Sequence, residues 1–282
     1  MVLESLLGVK EAEKKPFYVF LLGMLYASVA VFLSLWIFRA EASLILVFLM
    51  VLASLPLIYK TTNFEARKSY ELTEDNLPRA HIDALKVFMY LFMGFTLAMS
   101  LWYIFLPSDT VNDLFASQMS TIKTINGNDA TGNVTSWTFL STILMNNLKV
   151  LVLCMLFSFF FGAGALFILG WNASVISTAM GNFVRNGIAN YATSVGFTKV
   201  GFYFQVFSLA LVRYMTHGVF EILAYLVGGL AGGLISIAMI NKHFEGDHFR
   251  VIIKDAVDLM ILAVMLVIIG GLIEVFITPL FF

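Results

Sequence analysis

The stretch THGVFEILAYLVGGLAGG, residues 216–233, sets His217 and Glu221 four residues apart at the head of an otherwise apolar, glycine-rich run. On a helix turning about 100° per residue, with Glu221 at zero, His217 falls near about −40°, Tyr225 about +40°, Gly228 about −20° and Gly232 about +20°. The ionisable pair therefore shares one face with the small residues, Gly218 opening the row. An ionisable side chain in a membrane helix turns toward protein or a wet cavity, and small residues spaced by four let another backbone come close. Glu274 repeats the design in MILAVMLVIIGGLIEVFITP, one turn after Gly270 and Gly271 and one turn before Thr278, with Pro279 ending the helix. Arg213 is a candidate counter-ion for either acid. Such a set suits helix packing or a partner site, the lining of a transport pathway, or a metal centre. The plainer alternative is that His217, Glu221 and Glu274 only hydrogen-bond across helix contacts.

The elements that must position these groups follow from composition. Of 282 residues, 60% are hydrophobic and 12% charged, against roughly 45–50% and about 25% in soluble domains. The chain reads as an all-α polytopic transmembrane bundle. A net charge of −1 gives no sign of a nucleic-acid partner. The single cysteine, Cys154, sits in an apolar run as a small buried hydrophobe. No cleavable signal peptide is expected from the charged start MVLESLLGVKEAEKKP.

Five segments are long and apolar enough to span a bilayer: 17–38, 42–59, 87–106, 150–170 and 259–279. As one helix, 202–240 would measure about 58 Å, close to twice the membrane, which predicts a break near RYMTHG with Thr216 as N-cap for the second half. That yields helices over 199–214 and 217–240 and about 6–7 spans, with a broken or re-entrant region. Residues 171–198 read as interfacial or re-entrant, and 138–150 as a surface helix leading into the fourth span. Lys10, Lys14 and Lys15, the loop 60–86 with five cations, and the loop 241–258 with Lys242, Arg250 and Lys254 belong inside, whereas 107–148 holds only Lys123. Seven crossings with a cytoplasmic N-terminus satisfy all of these. The division expected is a three-span region over 1–137, with an extracytoplasmic loop at 107–137, and a core over 138–282.

Asn146, Asn147 and Asn172 stand at the ends of the fourth span, where amides commonly cap. Asn133, in the sequon NVT of the outer loop, is a candidate glycosylation acceptor. A metal centre on His217, Glu221 and Glu274 lacks a second nearby histidine, because His81, His243 and His248 fall in basic loops on the other side. No catalytic set, cofactor or bound metal is expected. GGLAGG lies inside an apolar helix and lacks the lysine of a phosphate loop.

The motifs MNN at 145–147, LGWNA at 169–173, THGVFEI at 216–222 and LIEVFITP at 272–279 together resemble the stage II sporulation protein M family of integral membrane proteins. The resemblance covers 138–282. It departs at Thr216, where the family has proline, at Ala173 (glycine) and at Val275 (alanine), which suits a distant, for instance archaeal, member. It implies a non-enzymatic scaffold of the cell envelope, since the namesake assembles with peptidoglycan-degrading partners without established catalysis of its own. On that reading the chain is a multi-pass plasma-membrane protein whose partners are lipid, other envelope proteins or further copies of itself. A transporter or flippase using Glu221 and Glu274 is the alternative, and a wet cavity lined by that pair would favour it. An intramembrane metal-dependent hydrolase is the third reading.

Overall fold

A computed structural model describes residues 8–71, 81–128, 136–161, 164–189, 197–240 and 247–280. The chain is an all-α polytopic bundle, with no strand among the described residues. A short α1 (Val9–Lys14) leads into α2 (Pro16–Ile37), where Pro16 takes the first helical position; a 3₁₀ turn then precedes α3 (Ala42–Glu71). After α4 (Ile82–Phe105) come the small α5 (Ser108–Leu114) and α6 (Ala116–Asn128). The remaining helices are α7 (Ser136–Phe161), α8 (Ala165–Ala189), α9 (Phe197–Ile240) and α10 (Asp247–Leu272), which ends in a π-helical turn, Ile273–Ile277, and a 3₁₀ turn, Thr278–Leu280.

Among the described residues, six helices are long and apolar enough to cross a membrane: Pro16–Ile37, Arg39–Lys68, Ile82–Phe105, Ser136–Phe160, Gly218–Ile240 and Phe249–Leu280. The expected break near Met215 is absent, because α9 runs unbroken for 44 residues. Thr216 does not cap a new helix; its hydroxyl donates to the Val212 carbonyl at 2.6 Å, a bond made inside a continuing helix. The predicted span 199–214 is instead the first part of this rod, which extends beyond the apolar section Gly218–Ile240.

The predicted span 150–170 is also corrected. The chain reverses at Gly164, so 150–161 closes α7 and 165–170 opens α8, and the stretch 138–150 is the first half of the spanning helix α7 rather than a surface helix. A Cβ on Gly164 would lie 2.2 Å from the Phe157 carbonyl oxygen, so only glycine lets the chain fold back this closely.

Residues 165–189, read in large part as interfacial or re-entrant, form one helix packed among α3, α4, α7 and α9. Its buried hydroxyls are satisfied by protein. Ser177 donates to Ala173 and Thr96 carbonyls at 2.6 and 2.9 Å, Thr178 to Ser174, and Gln118 of α6 donates to the Ser174 hydroxyl. Gly170 meets Val51 of α3, while Gly187 meets Val206, far up α9. Thus α8 runs much of the length of the bundle, antiparallel to α9. One apolar core extends from Ala12 to Val267, with a smaller cluster of Val184, Val206 and Ala210 where α8 meets the first part of α9.

A tight seam joins α9 to α7. A Cβ on Gly228 would lie 2.3 Å from Leu151 Cδ1, and one on Gly232 would lie 2.3 Å from the Met155 carbonyl oxygen. These glycines fix how α7 and α9 face each other about two to three turns from Glu221.

Candidate functional site

Asn147 is 6% exposed, and its position on α7 faces the start of the apolar section of α9. Its Nδ2 donates to Glu221 Oε1 at 2.5 Å, and its Oδ1 accepts the Tyr225 hydroxyl at 3.0 Å. Both partners are on α9, four residues apart, so one buried amide bridges a carboxyl and a phenol on the same helical face. Glu274 comes from the π-helical turn of α10 and lines the same cavity as Glu221. The wider turn, with Thr278 donating to the Ile273 carbonyl five residues back at 3.2 Å, is a local departure of the kind often found at functional sites. Gly270 permits the approach, since a Cβ there would meet Glu221 Cγ at 3.0 Å.

These groups line a cavity of about 360 Å³. Asn146, Asn147, Asn172, Gly218, Glu221, Tyr225 and Glu274 supply its polar part; Phe139, Ile143, Val150, Ile176 and Ile222 supply the apolar wall. Of its lining residues, Thr142 and Asn146, both on α7, are exposed. Asn172 donates its Nδ2 to the Ile168 carbonyl at 2.8 Å, a bond within its own helix rather than an end cap.

The residues singled out in the sequence divide accordingly. Asn146, Asn147, Asn172, Gly218, Glu221 and Glu274 meet at the cavity. Gly228 and Gly232 belong to the α7 seam. Thr278 shapes the turn that carries Glu274, and Pro279 is exposed in the closing 3₁₀ turn. Arg213 is exposed, its guanidinium 5.7 Å from the Phe183 ring centre, and it does not line the cavity that holds the two acids. The side chain of His217 and the sequon Asn133 lie outside the described residues. Among the described residues, no three His, Cys, Asp or Glu side chains are grouped to hold a metal ion.

At the far end of the bundle is a second polar centre that sequence reading missed. His81, just ahead of α4, is fully buried; its Nδ1 lies 2.6 Å from Glu65 Oε2 of α3 and its Nε2 2.7 Å from Asp255 Oδ2 of α10. Both acids are also fully buried, and Lys68 Nζ stands 3.4 Å from Glu65. Burial alone would lower the imidazole pKa, but hydrogen bonds and charge from Asp255 and Glu65 outweigh it and raise it to about 9. His81 is therefore an imidazolium donating from both nitrogens at neutral pH. Nearby Glu13 of α1 is raised above the usual carboxyl range by burial first and then by the Glu65 charge. No spacing signal announces this cluster, because His81 and Asp255 are 174 residues apart.

The fold and site define a polytopic helical membrane protein with a polar cavity let into its bundle. The chain belongs to the Stage II sporulation protein M family, whose profile matches residues 87–279. That match begins within α4, well before residue 138, and takes in the whole cavity; Glu65 and His81 lie ahead of it. The chain is also similar to the uncharacterized protein MJ0793 of Methanocaldococcus jannaschii, 28% identical over 166 residues that cover 57% of this chain and 83% of that protein. No solved structure matches it.

Proposed function

We propose that the protein is a non-enzymatic scaffold of the plasma membrane that holds a partner membrane protein against the exposed face of α7. One observation carries this reading. Lys149 lies near the middle of α7, exposed, with no ion-pair partner among the described residues, and Asn146 is exposed one turn away. Ser141 and Thr142 satisfy their hydroxyls on the Thr138 carbonyl, whereas the Lys149 ammonium carries a full charge that a backbone carbonyl does not neutralise. A lysine at the centre of a membrane helix costs about 2.5–3.5 kcal/mol even on insertion-derived scales. A partner that covers α7 and presents acceptors removes that cost. The distribution of basic residues supports a cytoplasmic N-terminus and, with it, a cavity in the outer half of the bundle.

In this reading the Glu221–Glu274 pair, opening beside the same face, completes the partner site. Changing either acid to glutamine should leave membrane insertion intact and shift the native complex toward the single chain on native gels of membrane extracts. Complexes of unchanged size and yield in both variants would remove the acids from assembly. The open cavity supports a second reading, a transporter or flippase with its site at Glu221 and Glu274. Uptake of a labelled substrate into vesicles that is lost in the same variants, while complexes stay intact, would favour it.

A further inference from the structure

We infer that α7 and α8 form a re-entrant hairpin: both arms enter the bilayer from the outer side, the turn between them stays inside the inner leaflet, and the chain crosses completely only with α2, α3, α4, α9 and α10. This concerns the path of the chain and does not rest on the scaffold reading. Length alone would let α7 cross, since Ser136–Phe160 is long and apolar enough; its neighbours show where it stops. A Cβ on Gly232 of α9 would stand 3.1 Å from the Ser158 Cβ, so these two residues are level. From there α7 ends at Phe161, about 4.5 Å further on, whereas α9 continues for about 12 Å to Ile240.

Two further helices agree. Thr62 of α3 and Phe88 of α4 line one small apolar pocket together with Ser158 and with Ala165, the first residue of α8. From that level α3 runs about 14 Å on to Glu71, and α4 begins about 9 Å before Phe88. The end of the bundle so prolonged holds the Glu65–His81–Asp255 cluster. Lys68, Lys86 and Arg250, on the same helices, are among the cations that mark this end as the inner one. The hairpin therefore stops short of a surface that all its neighbours reach.

The chemistry of the turn fits that depth. Inner loops collect Lys and Arg, yet every residue from Val150 to Val184 is uncharged. Non-helical backbone at membrane depth needs its polar groups satisfied by protein, and Ser158 does this: it is 1% exposed, and its Oγ accepts the Ala165 N–H at 3.1 Å across the turn. The Phe167 N–H in turn donates to the Gly164 carbonyl at 3.2 Å. Phe157, Phe160 and Phe167 around the turn are exposed; among acyl chains they are well solvated, whereas at the tip of a cytoplasmic loop they would stand in water. A partner that meets the exposed face of α7 then does so within the membrane or from outside.

The test is a depth measurement by spin-label resonance. Single cysteines replace Leu153, Leu156 and Phe160 on α7 and Phe167 on α8, all exposed, one at a time in the full chain with Cys154→Ser. Each is labelled with a nitroxide in detergent, checked for an unchanged size-exclusion profile and reconstituted into phosphatidylcholine vesicles. Power saturation then compares collisions with oxygen, which concentrates in hydrocarbon, and with a water-soluble nickel chelate. Val29→Cys on α2 and Arg250→Cys near the start of α10, both exposed, give the membrane and water references. The expected result is loss of nickel accessibility at all four positions to the level of the Val29 reference, with Phe160 as dry as Leu153. Phe167 keeps the test decisive if a label at Phe160 disturbs the hairpin. Nickel accessibility equal to that of the Arg250 reference at Phe160 or at Phe167 would show the turn emerging into the cytoplasm and would overturn the proposal. Neither outcome bears on the native complexes that test the scaffold reading.

Discussion

Replacing His81 with alanine is expected to destabilise the protein by about 3–5 kcal/mol, the usual cost of removing one partner from a buried ionic cluster. The loss follows from what remains: Glu65 and Asp255, both fully buried, would face each other across the vacated site without the imidazolium between them. Replacing Glu65, His81 and Asp255 together by apolar residues should recover a good part of the loss, because no buried charge is then left unmatched. Resistance to unfolding in mixed detergent micelles measures both. If the single variant unfolded like the natural chain, His81 would have no role in joining α3, α4 and α10.

The same group fixes a pH dependence. The folded-state pKa, raised to about 9 from 6.5, means that the native protein binds a proton more tightly than the unfolded chain. The stabilisation is present in full below about 6.5 and is lost as pH rises through about 9. A shift of this size corresponds to about 3 kcal/mol. Unfolding midpoints should therefore fall between about pH 7 and 10, and in a His81 variant that fall should shrink.

The second large effect concerns the α7–α9 seam. Gly232→Leu is expected to cost about 3 kcal/mol or more, at the upper end of overpacking penalties, since its Cβ alone would stand 2.3 Å from a backbone oxygen of Met155 that cannot swing aside. Gly218, on the same helix, has open space where a Cβ would stand, with nothing within 4 Å, so Gly218→Ala should be neutral or stabilise by about 0.5–1 kcal/mol through helix propensity. Folded yield and thermal midpoint of the two variants give the comparison. Equal tolerance at both positions would mean that α7 and α9 are not in backbone contact there.

How much of this was legible in the sequence depended on contrast. Glu221, Glu274, Asn146 and Asn147 stand out because polar groups are rare in apolar helices, and helical spacing was enough to bring Glu221 onto the glycine face. Hydropathy failed where it sums over a turn: the residues on either side of Gly164 are equally apolar, so 150–170 reads as one span although the chain reverses inside it. It failed again at Thr216, where a hydroxyl serves either as an N-cap or, as here, as a donor to its own helix, and composition does not distinguish the two. Length misled as well, since a helix too long for the bilayer need not break when one end can continue beyond it. The His81 cluster was out of reach because its three members come from segments that look like ordinary polar loop ends, joined only by the tertiary fold.

The most direct measurement of the central claim, that the polar face of α7 is covered by a partner, is the reactivity of single cysteines at Thr142, Asn146 and Lys149 in a Cys154→Ser background. A lipid-soluble maleimide would be applied to native membranes and to the purified chain in detergent. Protection in native membranes with ready labelling after purification, alongside equal labelling of a control cysteine at Val29 on α2, is the result expected. Equal reactivity of Asn146 and Lys149 in both preparations would contradict the claim and leave that face open to lipid.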